Sequence, residues 1–151
     1  MNLEWASQWI SSFSVSVDAA MEYYADDCDF RDFPLEHIFL NDKPGLARAF
    51  LPFANADPAN GRGIHHFEAT EFHGDNTSGV VLWRWTARHC PAFFGLPNAD
   101  LREISTVGMS YHQYRSGKIV REFVHSDQIH VVQTLGYPVD IPHYWEDPSF
   151  S

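Results

Sequence analysis

Apolar residues recur near helical spacing at Leu3, Trp5, Trp9, Ile10 and Phe13, and the series continues through Ala19, Ala20, Met21 and Tyr24. This predicts helices over Leu3 to Phe13 and Val17 to Tyr24, or one helix that kinks near Ser14. Asp26 and Asp27 interrupt the pattern, and Cys28 to Phe33 then alternates as a short strand does, closed by Pro34 with Asp32 at its end. Pro44 and Gly45 open a short helix, Leu46 to Phe53, which Pro52 and the polar stretch Asn55 to Gly63 bring to a close. Two extended runs, His65 to His73 and Val80 to His89, flank the turn-forming stretch Gly74 to Gly79. A second pair, Leu101 to Tyr114 and Lys118 to Ser126, flanks Arg115-Ser116-Gly117. Helices followed by a meander of strands predict an α+β domain, with helices packed on one face of an antiparallel sheet. The tail after Gly136, with Pro138, Pro142 and Pro148, predicts an extended strap over 137–151.

The chain has 151 residues, which fits a single domain with one core over 1–151. Hydrophobic residues make up 44% and aromatics 15%, enough for a sizeable core. Ten Lys and Arg against twenty Asp and Glu give a formal charge of −10, which repels nucleic acid and anionic membrane surfaces. The two cysteines, Cys28 and Cys90, form neither a disulfide framework nor a CxxC site, which points to a reduced cytoplasm. No apolar run reaches the roughly 18 residues of a membrane span, and no basic leader precedes an apolar segment, so a cytoplasmic protein is expected.

Nine histidines in an acidic chain raise metal binding, but no HxxxH or HExxH occurs, and His125 and His130 lie five apart. Nor is there a GxGxxG or a Walker-type Gly-Lys-Ser, and Gly61-Arg62-Gly63 is too short to cradle a pyrophosphate. Neither a metal nor an organic cofactor is expected.

Three segments carry a family resemblance. Arg84-Trp85-Thr86, followed by His89, Phe93, Gly95, Leu96 and Pro97, is similar to the strand, His and Phe-x-Gly-x-Pro turn of the SnoaL-like proteins. Gly117-Lys118-Ile119, Asp127 and Gln133-Thr134-Leu135-Gly136 resemble that family's Gly-Lys-Ile, Asp and Gln-Leu-Gly ending. Tyr24-Ala25-Asp26-Asp27 leading to Arg31-Asp32 resembles its helix end and first strand. This family includes polyketide cyclases, and its nuclear transport factor 2-like superfamily also holds ketosteroid isomerases, limonene epoxide hydrolases and scytalone dehydratases. The resemblance implies an α+β barrel, a cone-shaped curved antiparallel (mixed) sheet wrapped around the N-terminal helices. It says less about chemistry, since unrelated reactions share this cone.

The resemblance implies acid/base chemistry (cyclisation, isomerisation or dehydration) on an apolar polyketide, terpenoid or aromatic substrate. Asp127 matches the position of an acid/base carboxylate in the cyclases and epoxide hydrolases, and the alternative is an Asp that caps the C-terminal segment or pairs with an Arg. Asp32 matches the general base of the isomerases, although their oxyanion-hole positions fall near Trp9 and Ser110 here. Arg84 matches the epoxide hydrolases' strand Arg, but Thr86 stands where their second catalytic Asp belongs; Arg84 is then a counter-ion for Asp127 or a stabiliser of an enolate. His65, His66 and His89 invite comparison with the dehydratases, against a plainer reading as satisfied structural residues. Trp9, Phe13, Tyr24, Phe53, Tyr111 and Phe123 are the candidate pocket walls. Alternation puts Trp83 and Trp85 on one face, where they either fill the core or meet a partner subunit, and a homodimer through the outer sheet face is expected. The rival expectation is a non-catalytic binding module or a dimeric scaffold domain.

Overall fold

Asn2 accepts a hydrogen bond from Trp5 N and caps α1 (Leu3–Ser12), whose apolar stripe turns Ala6, Trp9 and Ile10 inward. Ser16 caps α2 (Val17–Met21) through Ala19 N, so the break near Ser14 separates two helices. The computed structural model describes residues 1–54, 57, 59, 62–141, 143–146 and 148–150. Much of the polar stretch Asn55 to Gly63, Pro142 of the strap and Gly61 of the Gly-Arg-Gly segment therefore lie outside the described residues.

The first strand starts earlier than its alternation suggests: β1 covers Tyr24–Asp32. A short strand that the sequence reading passes over, β2 (His37–Leu40), folds back on it and pairs His37 with Asp32. Asp42 then caps α3 (Lys43–Phe50) by accepting from Gly45 N at 2.8 Å. Gly45 is required there, because a Cβ would lie 2.1 Å from the Asp42 carboxylate.

The long hairpin β3 (Ile64–Gly74) and β4 (Ser78–Arg88) falls where expected. A small hairpin, β5 (Ala92–Phe93) and β6 (Leu96–Pro97), occupies the Phe-x-Gly-x-Pro segment. Buried Asn98 braces its far end, giving Nδ2 to the carbonyls of Cys90 and Arg102 and accepting from Arg102 N. The last strands are β7 (Ile104–Arg115) and β8 (Lys118–Ser126), joined where Ser116 and Gly117 both adopt positive φ, as a two-residue hairpin turn demands. Past them comes α4 (Gln128–Thr134), and short 3-10 turns at Tyr144–Glu146 and Pro148–Phe150 interrupt the strap expected over 137–151.

The sheet order is β2-β1-β8-β7-β4-β3, with β1 parallel to β8 and the other pairs antiparallel. That parallel contact makes the sheet mixed and brings the N-terminal strand beside the last one. Register shifts in β1, β3 and β7 bend it, as bulges do, and α1 and α3 pack on β3 and β1. Among the described residues no helix is long and apolar enough to cross a membrane.

Strand alternation decides what the helices cover. Phe30 and Asp32 of β1, Trp83 and Trp85 of β4, Ser110 and His112 of β7, and Glu122 and Val124 of β8 turn to the inner face. The tryptophans are therefore core residues and do not face a partner subunit; Arg84 and Thr86, one step out of phase, take the outer face.

Gly108 makes room for this packing. It pairs with Trp83 across the sheet, and a Cβ on it would meet the indole ring at 2.3 Å and His125 O at 2.6 Å. Gly108→Ala should destabilise the protein by about 1–3 kcal/mol, since the ring can only move into other packed rings. Urea melts check this: a lower midpoint at unchanged slope is expected, and an unchanged midpoint would show that the ring is not pinned.

Candidate active site

Between α1, α3 and the concave face lies a cavity of about 90 Å³. Ten of its nineteen lining residues are aromatic, so its walls consist largely of rigid rings. Trp9 and Phe13 come from α1, Phe50 and Phe53 from the end of α3 and just beyond, Phe67 from β3, and Phe93 from the small hairpin. These rings brace one another: Phe13 meets Phe50 at 4.9 Å and Phe67 at 5.4 Å, and Trp85 meets Phe93 at 5.1 Å between centroids. Asp32, Leu35, Phe53, Ser126 and Gln128 are only half-buried and mark the mouth.

Two carboxylates enter this chamber. Asp32 ends β1 on the inner side, and its Oδ1 accepts from Leu35 N at 3.1 Å, which fixes the carboxyl in the turn toward β2. Its other oxygen has no protein hydrogen bond among the described residues. Burial raises its pKa from 3.8 to about 6, against smaller lowering effects from the Leu35 N–H and from His37 and His125; the Glu122 charge adds to the rise.

Glu122 sits deeper, with 3% of its surface exposed. Its Oε2 accepts from Tyr24 Oη at 2.5 Å, and Trp9 Nε1 donates to the same hydroxyl at 3.3 Å. Burial first, and then the Glu122 charge, holds the Tyr24 pKa well above the usual phenol range, so Tyr24 keeps its proton and donates it. Behind Glu122, His112 is fully buried with Nε2 3.4 Å from Oε1, while its Nδ1 lies 3.1 Å from Tyr114 Oη. Ser110, also on the wall, accepts from Trp83 Nε1 at 3.1 Å and keeps its own hydroxyl proton to give.

The other expected site residues lie elsewhere. Asp127 is exposed and does not project into the chamber. It caps α4 by accepting from His130 N at 3.0 Å and lines an outer groove with Arg84, with which it forms no ion pair among the described residues. The reason is parity: Val124 and Ser126 point inward, so Asp127 falls out of phase as the strand gives way to the helix. Arg84 and His66 are exposed on outward positions of β4 and β3, and His89 is exposed just past β4 with φ of 54°. Tyr111 and Phe123 pack together on the outer face, with Arg31 and Arg121 over the Phe123 ring, and so do not wall the cavity. Of the expected wall residues, Trp9, Phe13, Tyr24 and Phe53 do line it. His65 is buried: Trp85 Nε1 donates to its Nδ1 at 3.1 Å and its Nε2 donates to Arg62 O at 2.9 Å, the pattern of a neutral ring whose pKa burial lowers.

Sequence reasoning missed Glu122 and His112. The signal was available: each stands two residues from an inward apolar or small neighbour, Val124 and Ser110, on strands whose inward positions are otherwise apolar or small.

No protein-family profile matches the chain, and no curated protein matches it in sequence. Solved structures do share its shape. A protein of ketosteroid isomerase-like fold from Catenulispora acidiphila, held in complex with trimethylamine, superposes with a TM-score of 0.69 at 12% identity, over 94% of this chain and 99% of that one. A candidate SnoaL-like polyketide cyclase from Shewanella putrefaciens gives 0.68 at 9% identity, over 88% and 94%. AclR, a candidate hydroxylase from Streptomyces galilaeus, gives 0.65 at 15% identity, over 93% and 87%. With its mixed, bent sheet closed over the N-terminal helices, the chain thus has the α+β fold shared by SnoaL-like and ketosteroid isomerase-like proteins.

Proposed function

We propose that this protein is a small-molecule enzyme that moves a proton on a compact, largely apolar organic substrate, with Asp32 as the proton carrier. One observation carries the reading: a carboxyl set at the mouth of an aromatic chamber, its pKa raised by burial to about 6, with one oxygen unclaimed among the described residues. Such a group is ionised at neutral pH yet far more basic than an ordinary aspartate, as a general base should be. A substrate seated on the rings offers Asp32 a C–H made acidic by a neighbouring electron-withdrawing group. Where a C=C adjoins that carbon, Asp32 takes the proton and returns it two carbons away, at the far end of the delocalised anion, so that the double bond shifts and the product is an isomer. Where the next carbon carries a leaving group, the C–H pair becomes a C=C bond as that group departs with its bonding pair, giving elimination. Ser110 supplies a free donor on the wall, and the Tyr24–Glu122 pair holds the floor rigid.

Size narrows the substrate. A cavity of about 90 Å³ suits a one-ring or smaller molecule, well below the roughly 300 Å³ at which sites for drug-sized ligands begin. The trimethylamine on the Catenulispora protein belongs to the same compact class. A binding module would need no basic carboxyl at the mouth, so the enzymatic reading is the stronger.

We also place a homodimer contact on the outer sheet face, where Val107 and Met109 stand 56% and 49% exposed beside a groove lined by Leu82, Arg84 and His125. Val107→Lys should convert a dimer into a monomer in sedimentation equilibrium without unfolding it; a wild-type monomer, or a dimer that survives the substitution, contradicts this placement.

Proton transfer is read most simply by incubating one-ring ketones and their iminium derivatives in D2O and following exchange of the carbon-bound hydrogens by NMR. Wild-type exchange should rise with pH through about 6 as Asp32 ionises and then level off. Asp32→Asn should lower the rate by about 10²–10⁴-fold and remove the inflection while the neutral ketones still bind. Exchange by the variant at the wild-type rate would exclude Asp32 as the base.

A further inference from the structure

We infer that the cavity selects a compact organic cation, an alkylammonium or iminium compound seated against the aromatic rings and the carboxylates of Asp32 and Glu122. This rests on the reading above that the cavity is the functional site, and adds the charge of what enters it. Asp32 and Glu122 are the only carboxylate residues on the lining, and no Lys, Arg or His lines the chamber among the described residues. Nearby cations are turned to other work. Lys43 bonds Tyr24 O and Asp26, while Arg31 and Arg121 pair with Asp29 and cover Phe123 on the outer face. Three histidines lie near Asp32 or Glu122 without lining the chamber: His112 behind Glu122, whose Nε2 makes no hydrogen bond among the described residues, and His37 and His125, which act on Asp32 from outside the wall.

The walls point the same way. All three indole N–H donors of the chamber are consumed inside the protein: Trp9 by Tyr24, Trp83 by Ser110 and Trp85 by His65. What the rings have left to offer a ligand is their electron-rich π surface, which attracts cations. An anionic or strongly oxyanionic ligand would find two carboxylates and few free donors.

A cationic substrate also suits the proton chemistry. When Asp32 removes a hydrogen from the carbon beside a C=N⁺ group, the C–H electron pair becomes the new C=C bond and the C=N π pair becomes the nitrogen lone pair. Carboxylate and iminium thereby become carboxylic acid and neutral enamine, and no oxyanion has to be held.

The test compares tetramethylammonium chloride with tert-butanol, a neutral molecule of nearly the same shape, at pH 8 and matched ionic strength. Binding is followed through the indole N–H NMR signals of Trp9, Trp83 and Trp85 in ¹⁵N-labelled protein. The cation should shift these signals with an affinity about tenfold or more above that of the alcohol. Glu122→Gln should weaken cation binding about fivefold and leave the alcohol's nearly unchanged, and Asp32→Asn provides the same comparison if the first variant does not fold. If the alcohol binds as well as the cation at these signals, the charge inference falls while the cavity remains the site. If neither ligand moves them, both readings fall. A cation preference that survives both substitutions also overturns the inference, because the chain's overall charge of −10 would then be its source.

Discussion

An ionised carboxylate placed among aromatic rings loses its hydration, and the organisation of this cavity follows from how the fold meets that cost. Glu122 meets it with the Tyr24 hydroxyl at 2.5 Å, itself held by Trp9. Since Tyr24 lies on β1, Glu122 on β8 and Trp9 on α1, one chain of hydrogen bonds ties the parallel strand pair to the helix above it. Asp32, nearer the mouth, accepts only the Leu35 N–H among the described residues, and burial raises its proton affinity. The sign of the folding cost follows. With a folded pKa of about 6 against an ordinary 3.8, the folded state binds the proton more tightly, so stability falls as pH rises from roughly 4 to 6 and stays reduced above. A group that weakens the fold at neutral pH is what a site tuned for proton transfer would retain.

Rigidity is the complementary half. The rings that wall the chamber meet edge to face or at a tilt, and Gly108 admits Trp83 to its place only by lacking a side chain. Such a chamber cannot simply collapse onto its carboxylates. Small cavity, fixed walls and two acidic groups together set what can enter: something compact, able to exploit π surfaces, and not repelled by negative charge.

Much of the fold was legible in the chain. Helical spacing from Leu3 to Phe13, the alternation in β3, β4, β7 and β8, and the Ser116-Gly117 turn follow from local physics and stand as expected. The pairing of β1 with β8 did not follow from local pattern, because a parallel contact between strands so distant in sequence leaves no local signature; only the family resemblance implied a mixed sheet. Site residues divided by parity. Asp32, Trp9, Phe13, Tyr24 and Phe53 fall on inward positions, whereas Asp127, Arg84, His66, Tyr111 and Phe123 sit out of phase with the inner face. A motif match gives an approximate position along a strand, and a one-residue offset is enough to move a side chain from chamber to solvent. Glu122 went unnoticed because a lone Glu in a strand usually faces water, and only the strand's phase shows that this one does not.

The most direct measurement is a ¹³C NMR titration of the side-chain carboxyls, with the Asp32 resonance assigned by its loss in Asp32→Asn. Burial among the rings predicts an inflection near pH 6. An inflection at the ordinary aspartate value of about 3.9 would mean that this carboxyl is fully hydrated and that the cavity does not govern it.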